Sequence, residues 1–294
     1  MKVGAVDIGT NSIRLLITDG TTEFGRWEEV TGLGRGVDRS GALSPAGIED
    51  SLVALAGFGA NMDAEGVERR RAIATSAARD AANRELFFDL AQSALSVRPI
   101  LVSGEEEARL AYAGATAGPF GQLLEPPVVV SDIGGGSTEL VTDDGAVSVD
   151  IGSVRLTERV IPSRPAPLSE MAAARSLLAD LFREVSLEVG TLVGVAGTWT
   201  SLAAIAEDLP RWSPDMVHGH RMTRGELESV IDSLAGKTVE ETAAIPALHP
   251  ERAPVILAGS LVAEAVMQVL DTVEVAVSGR DTLDGVAMDL LALP

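Results

Sequence analysis

The sequence predicts an α/β protein built from two similar domains, and two observations lead to this fold class. The chain has 294 residues, 46% of them hydrophobic, so it exceeds the usual size of one domain and can bury a large core. The stretch 5–20, AVDIGTNSIRLLITDG, also resembles the stretch 130–145, VSDIGGGSTELVTDDG. Each reads as a strand, a turn of small residues, a second strand and another turn, so one folding unit is predicted to occur twice.

The repeated turn has the composition of an anion-binding site. The aligned pairs are Asp7 with Asp132, Ile8 with Ile133, Gly9 with Gly134, Ser12 with Ser137, and Leu15 with Leu140. Glycine lets the backbone turn sharply and approach a ligand, and successive N–H groups in such a turn form a concave anion site. Asp132 and Glu139 flank the second turn with carboxylates, which suit a divalent cation held beside a phosphate. An ordinary glycine-rich hairpin is the alternative interpretation.

The other elements of the first half follow from hydrophobic runs and capping residues. Its strands are predicted at 2–8, 13–18, 22–30, 71–75 and 98–102. Ser44 and Ser103 each cap a helix. Residues 32–41, GLGRGVDRSG, are predicted to form a flexible loop. Arg79 is predicted to lie on a turn before the next helix, where an arginine beside a helix N-terminus favours an anion.

The second half is predicted to follow the same alternation of strands and helices. Its further strands are predicted at 146–151, 192–196 and 273–277, and its main helices at 168–189 and 251–270. The first of these helices is predicted to bury Met171, Leu177, Leu178 and Leu181. Thr223 and Glu226 form a capping box that begins a helix, and Arg224 is predicted to lie on its exposed surface.

Composition limits the possible functions. The absence of cysteine excludes disulfides and thiol chemistry. The N-terminus MKVGAVDIG does not read as a signal peptide, and no apolar run reaches the ~18 residues of a membrane span, so a soluble cytoplasmic protein is expected. A net charge of −20 argues against a nucleic-acid surface. Because the same charge repels anionic substrates at long range, arginines are expected to gather locally where a phosphate binds.

Three sequence blocks resemble a known family. Duplicated Asp-Ile-Gly turns resemble the actin-like ATPase superfamily, and AVDIGTNSIRLLI, SGEEEARLAYAG and SDIGGGSTEL, in this order, resemble the exopolyphosphatase/guanosine pentaphosphate phosphatase family. The resemblance covers residues 3–288. It implies two actin-like (ribonuclease H-like) domains, each with a mixed sheet, and an interdomain cleft. The expected domains are 1–118, with the C-terminal helix 281–294 packed back on it, and 119–280.

The resemblance also implies roles for individual residues. Glu107, the second glutamate of a Glu-Glu-Ala motif, is the expected general base, which must lie within ~3 Å of the attacking water. Arg79 and Arg155 match arginines beside the active site. The expected substrate-binding residues are Gly9, Thr10, Asn11, Ser12, Arg79, Gly134, Gly135, Gly136, Ser137, Thr138, Arg155, Gly197 and Thr198. Asp7, Asp132 and Glu139 are expected to hold Mg²⁺, with Glu139 also counted as catalytic.

Two further motifs carry weaker signals. Trp199 beside the turn at 197–198 is interpreted as a packing residue, with stacking on a base as the alternative. His218 and His220 form a His-x-His pair, but no acidic third ligand accompanies it, so a metal site is not expected there.

The predicted function is exopolyphosphatase activity, the Mg²⁺-dependent hydrolysis of the terminal phosphoanhydride of inorganic polyphosphate. The alternatives are a guanosine pentaphosphate 5′-phosphatase, a kinase of the superfamily and a non-catalytic sensor of polyphosphate or alarmone. The family resemblance suggests a homodimer.

Overall fold

The computed structural model describes residues 1–293. For residues 214 and 215 it describes the backbone alone. The strands are β1 Val3–Ile8, β2 Ser12–Thr18, β3 Glu23–Val30, β4 Arg69–Ala74, β5 Ile100–Leu101, β6 Val128–Ile133, β7 Thr138–Val141, β8 Ala146–Val149, β9 Thr191–Val195, β10 Arg221–Thr223 and β11 Glu274–Val277. The helices of the first half are α1 Val37–Ser40, α2 Pro45–Ala64, α3 Ser76–Asp80, α4 Arg84–Leu95 and α5 Gly104–Ala115. The later helices are α6 Gly118–Gly121, α7 Ser153–Val160, α8 Leu168–Phe182, α9 Ala196–Ala206, α10 Pro214–Val217, α11 Arg224–Ala235, α12 Val239–Ala243, α13 Ile256–Val269 and α14 Thr282–Ala292, with a 3₁₀ turn at Pro250–Arg252.

The chain divides into two compact units. Unit 1 contains Met1–Gly114 together with the C-terminal segment that begins at Thr282, and unit 2 contains Ala115–Asp281. Among the described residues, the sheet of unit 1 has the strand order β3-β2-β1-β4-β5, and that of unit 2 has the order β8-β7-β6-β9-β11, with β10 added at its edge. Strand β1 pairs antiparallel with β2 and parallel with β4. In the same way, β6 pairs antiparallel with β7 and parallel with β9. The predicted α/β fold with a duplicated mixed sheet is confirmed.

Burial explains why the central strands form where they do. All six residues of β1 are buried, and five of the six in β6 are buried. Such continuous apolar runs are typical of strands with parallel neighbours and covered faces. The hairpin strand β3 is mostly half-buried, as expected at a sheet edge. The buried centre of each sheet is therefore the element that carries its repeated turn.

The C-terminal helix α14 belongs structurally to unit 1. Gly285 lies so close to the backbone carbonyl of Leu110 that a Cβ would come within 2.1 Å of its oxygen. Arg26 of β3 donates 2.7 and 3.1 Å hydrogen bonds to Asp284, and this carboxylate, together with Glu23, raises the pKa of Arg26 against the opposing effect of burial. Close packing and a buried ion pair hold α14 against the sheet.

The structure corrects three predictions about individual elements. Residues 32–41 do not form a flexible loop, because α1 lies within them and the N–H groups of Gly32 and Gly34 donate to the first repeated turn. Helix α8 ends at Phe182, and Leu181 is 38% exposed. The buried stripe of α8 follows Met171, Ala174, Leu178 and Phe182, a helical spacing that places Leu181 beside it.

Two other predicted elements also differ from the structure. The helix expected from residue 251 begins at Ile256, after the 3₁₀ turn. Arg224 is half-buried and not fully exposed, and its Nη2 donates to the carbonyl oxygens of Met267 and Thr272 at 3.1 and 2.6 Å. None of the helices in residues 1–293 combines the length and apolar character needed to cross a membrane.

Candidate active site

In unit 2 the turn between β6 and β7 is flanked by two carboxylates on one face of the sheet. Asp132 and Glu139 are directly opposite each other in the antiparallel register, 7% and 1% exposed. Opposite residues in an antiparallel pair lie side by side. Ser148, the next residue across in β8, donates a 3.0 Å hydrogen bond to Oε1 of Glu139. The pairing of β6, β7 and β8 thus brings together oxygen atoms from three strands.

The turn itself presents N–H groups away from the neighbouring helix. Gly134 closes it with a 3.0 Å hydrogen bond from its N–H to the carbonyl of Ser137. The carbonyls of Gly134 and Gly135 accept from Ser153, Val154 and Arg155 at the start of α7, at 2.9, 2.9 and 3.1 Å. Because a trans peptide directs its N–H opposite to its carbonyl, the N–H groups of the following residues point away from α7. N–H groups directed in this way are available to an anion.

Unit 1 closes its turn with the same hydrogen bond, but the carbonyls that accept further hydrogen bonds lie one aligned position later. Gly9 donates to the carbonyl of Ser12 at 3.0 Å, the same distance as in unit 2. The carbonyls of Thr10 and Asn11 accept from residues 31, 32 and 34, at distances of 2.8 to 3.1 Å. The buried Nδ2 of Asn11 has no hydrogen-bond partner among the described residues. The turn of unit 1 therefore has the same closing hydrogen bond, with this side-chain donor beside it.

The two turns differ in the residue opposite the aspartate. Asp7 pairs with Arg14 in the β1–β2 register, and Nη2 of Arg14 lies 2.5 Å from Oδ2 of Asp7. Arg14 occupies the position that Glu139 occupies in the other repeat. The carboxylate of unit 1 is therefore neutralised within its own hairpin.

Glu107 lies in the first turn of α5 and is paired with Arg79. Nη1 of Arg79 donates to Oε2 of Glu107 at 2.9 Å and to the carbonyl of Val102 at 3.0 Å. Ser103 caps α5, as predicted, by accepting from the N–H of Glu106. Arg79 lies inside α3, so its expected place on a turn before the next helix was wrong. Any anion-binding potential of Arg79 therefore comes from its guanidinium, and Glu107 fixes the position of that group.

Glu106 has a different set of partners from its neighbour. Arg109 donates to both of its carboxylate oxygens at 3.0 Å, and this hydrogen bonding lowers the pKa of Glu106. Arg109 also donates to Asp289 of α14 at 2.6 Å. Two adjacent glutamates of one motif are therefore assigned to two separate arginines.

The remaining predicted residues lie in unit 2. Arg155 is buried and forms an ion pair with Asp150. The hydroxyl of Thr138 donates to the carbonyl of Ile151 at 2.6 Å, and that of Thr198 donates to the carbonyl of Ile133 at 2.8 Å. Both hydroxyl hydrogens are therefore used in hydrogen bonds within the protein. The indole N–H of the fully buried Trp199 donates to Ser131, in agreement with a packing role.

Sequence reasoning missed Arg252. Its guanidinium covers Gly197 so closely that a Cβ there would lie 2.0 Å from Nη2, and it lies 6.0 Å from the ring centre of Trp212. The local signal was a single arginine in the segment HPERAP before a hydrophobic helix. No local pattern connects that segment with residue 197.

Two of the buried carboxylates can accommodate a divalent cation. Among the residues that the structure describes, no group of three or more histidine, cysteine, aspartate or glutamate residues is arranged to hold a metal. Mg²⁺ in phosphoryl-transfer sites usually takes one or two carboxylates and completes its shell with water and substrate oxygens. The buried pair Asp132 and Glu139 offers that number of hard oxygen donors and therefore fits. His218 is engaged elsewhere, since its Nδ1 accepts from the N–H of Gly279.

The duplicated sheet with its two matching turns defines an actin-like α/β protein. A profile of the Ppx/GppA phosphatase family matches residues 20–293. Exopolyphosphatase 2 of Mycobacterium tuberculosis is 38% identical, with 98% of each chain covered. The crystal structure of an exopolyphosphatase-like protein has a TM-score of 0.93 at 33% identity, covering 99% of this chain and 98% of the other. For the Aquifex aeolicus Ppx/GppA family member the TM-score is 0.80 at 30% identity, with coverage of 99% and 98%.

The chain therefore belongs to the Ppx/GppA phosphatase family. The resemblance inferred from the three sequence blocks is confirmed. Membership of a phosphatase family also confirms the prediction that the protein is an enzyme of the hydrolase class.

Proposed function

We propose that this protein is an exopolyphosphatase, which hydrolyses the terminal phosphoanhydride of inorganic polyphosphate and releases phosphate. The observation that carries the proposal is the Arg79–Glu107 pair, because it combines a phosphate-binding cation with a carboxylate able to accept a proton. The relative that is 38% identical over nearly the whole chain is named an exopolyphosphatase, which supports this choice of substrate.

The two turns are proposed to bind phosphate groups. In unit 2 the N–H groups of residues 135–137 and the hydroxyl of Ser137 serve as donors, and in unit 1 the corresponding N–H groups and Nδ2 of Asn11 do so. Arg155 adds positive charge beside the turn of unit 2, and the segment at Gly197 and Thr198 contributes through its backbone. Many preorganised donors suit phosphoryl transfer, in which positioning and charge stabilisation provide most of the catalysis.

Asp132 and Glu139 of unit 2 are proposed to hold Mg²⁺. When bound, the cation supplies neutralisation of the phosphate oxygens. Glu139 is oriented by the hydrogen bond from Ser148. Glu107 is proposed to take the proton of the attacking water, and Arg79 to stabilise the charge that develops on the phosphate.

Trp199 is fully buried, so it provides no stacking surface for the guanine of a nucleotide substrate. This excludes only one contact, and guanosine pentaphosphate hydrolysis is kept as the competing outcome of the test. The proposed homodimer can be checked by light scattering.

Phosphate release from inorganic polyphosphate and from guanosine pentaphosphate, with Mg²⁺ and with excess chelator, tests the proposal. We expect release from polyphosphate that needs the cation, and loss of turnover in Glu107→Gln with substrate binding retained. Glu105→Gln, an exposed neighbour in the same helical turn, is the matched control. Release from the nucleotide alone, or activity of Glu107→Gln near that of the wild type, would contradict the proposal.

A further inference from the structure

We propose that Arg79 is a bridging residue. Its Nη1 holds Glu107, and the opposite edge of its guanidinium, Nε and Nη2, binds the substrate phosphate. This inference rests on the proposed function, because it assigns to Glu107 the role of the base. It adds a positioning role to the charge stabilisation already assigned to Arg79.

The hydrogen bonds of Arg79 occupy one nitrogen completely. An arginine side chain carries five N–H donors, two of them on Nη1. Here Nη1 makes both protein contacts, to Oε2 of Glu107 and to the carbonyl of Val102. One carboxylate oxygen and one backbone carbonyl therefore fix the plane of the guanidinium.

The other edge of the guanidinium remains available. Within residues 1–293, neither Nε nor Nη2 of Arg79 forms a hydrogen bond, and the side chain is 24% exposed. Nε and Nη2 carry parallel N–H bonds, the fork geometry that binds two oxygens of a phosphate. A phosphate can thus bind to Arg79 while the contact with Glu107 remains in place.

The surroundings keep both residues from moving apart. Arg84 donates to the backbone carbonyl of Arg79 at 3.3 Å, and Ser103 caps the turn that carries Glu107. Glu106 is tied to Arg109 and cannot replace Glu107 as the partner of Arg79 without breaking two hydrogen bonds. The bridge therefore gives Glu107 a defined position relative to the bound phosphate, as a near-attack geometry requires.

A competing arrangement would be an exchange, in which phosphate takes Arg79 away from Glu107. The two arrangements predict opposite signs of coupling. In a bridge, Glu107 holds Arg79 ready for phosphate and so strengthens binding. In an exchange, Glu107 competes with phosphate and so weakens binding.

A double-mutant cycle measures this sign. The probe is the imido analogue of tripolyphosphate, in which NH replaces each bridging oxygen, titrated calorimetrically in the presence of Mg²⁺. Dissociation constants are compared for the wild type, Glu107→Ala, Arg79→Gln and the double variant. We expect Glu107→Ala to raise the dissociation constant of the analogue more when residue 79 is arginine than when it is glutamine. The two increases should differ by about fivefold.

A kinetic readout separates this role from a purely structural one. Arg79→Lys keeps the positive charge but lacks the planar fork, so it should restore KM toward the wild-type value while kcat stays low. Arg98→Gln, which removes an exposed arginine paired with Glu85 and Asp89, controls for the change in net charge. Should Arg79→Gln fail to fold, Arg79→Met completes the same cycle.

The outcomes distinguish this inference from the proposed function. Polyphosphate hydrolysis with no coupling between positions 79 and 107, or with coupling of the opposite sign, overturns the bridge and leaves the function standing. Full recovery of kcat in Arg79→Lys also overturns it. A wild-type protein that neither binds the analogue nor hydrolyses polyphosphate overturns the function and the bridge together.

Discussion

The two repeated turns share a closing hydrogen bond and a strand register but differ in electrostatics. Both are closed by a 3.0 Å hydrogen bond from a glycine to a serine three residues later, and both direct their carbonyls into the protein. In unit 1 the residue opposite the aspartate is Arg14, whereas in unit 2 it is Glu139. A duplicated fold has thus kept its anion-binding turn while one copy neutralises its carboxylate and the other collects two carboxylates in one place. The comparison assigns the stronger cation-binding potential to unit 2.

The largest effect is expected from Asp132→Asn. Two buried carboxylates side by side are tolerated best with a cation between them, so the loss of one charge should weaken Mg²⁺ binding. We expect about a 100-fold lower maximal rate and a higher Mg²⁺ concentration for half activity. Asp7→Asn, in the turn that has its own arginine, should change the Mg²⁺ requirement less. Equal changes in the two variants, measured by metal titration of phosphate release, would remove the distinction between the turns.

A second experiment gives the turn of unit 1 the same pair of facing carboxylates that the turn of unit 2 has. Arg14→Glu replaces the ion pair with two carboxylates facing each other in the β1–β2 register. Because Arg14 is only partly buried, the cost should lie below the about 3–5 kcal/mol of a fully buried pair. The melting temperature should fall, and added Mg²⁺ should restore more of it than in Arg14→Gln, which lacks the second carboxylate. An Arg14→Glu protein with wild-type melting behaviour would show that Arg14 does not neutralise Asp7.

A smaller difference in melting temperature is expected when the first glycine of each turn is replaced by alanine. A Cβ at Gly9 would lie 2.9 Å from the carbonyl oxygen of Ser12, and one at Gly134 would lie 3.2 Å from that of Ser137. Forcing atoms into such contacts costs about 1–3 kcal/mol. We expect Gly9→Ala to lower the melting temperature more than Gly134→Ala. Calorimetry that showed the opposite order would contradict this prediction. It would mean that the turn of unit 2 accommodates a Cβ less easily than the 3.2 Å distance indicates.

The smallest effect concerns Glu106, which shares the first turn of α5 with Glu107. Arg109 holds the pKa of Glu106 below its usual value of 4.5 in the folded protein. Glu106 therefore contributes stability above that value, and the contribution is lost as the pH falls through the lowered pKa. Glu106→Gln should destabilise the protein at pH 7 by less than about 1 kcal/mol, since the pair is partly exposed. Denaturation at pH 7 and in strong acid tests this, and an equal loss at both pH values would contradict it.

Local patterns were enough to predict much of the site. The repeat of Asp-Ile-Gly predicted the two turns and the matching positions around them, because a strand, a tight turn and a second strand are specified by residues close together in sequence. Ser44, Ser103 and the capping box at Thr223 were also predicted correctly, since a cap involves residues three positions apart. Leu181 shows the limit, because a boundary error of a few residues changes which side of a helix is counted as buried.

By itself, the sequence determined the α/β class, the duplicated unit, the family and the chemistry available at each turn. The tertiary structure decided which partners these side chains have. Arg14 opposite Asp7, Arg79 on Glu107 and Arg252 over Gly197 join residues that lie progressively farther apart in the sequence. The physical reason is that charge pairing and close packing depend on distance in space, and a linear pattern encodes that distance only within one hairpin or one helical turn.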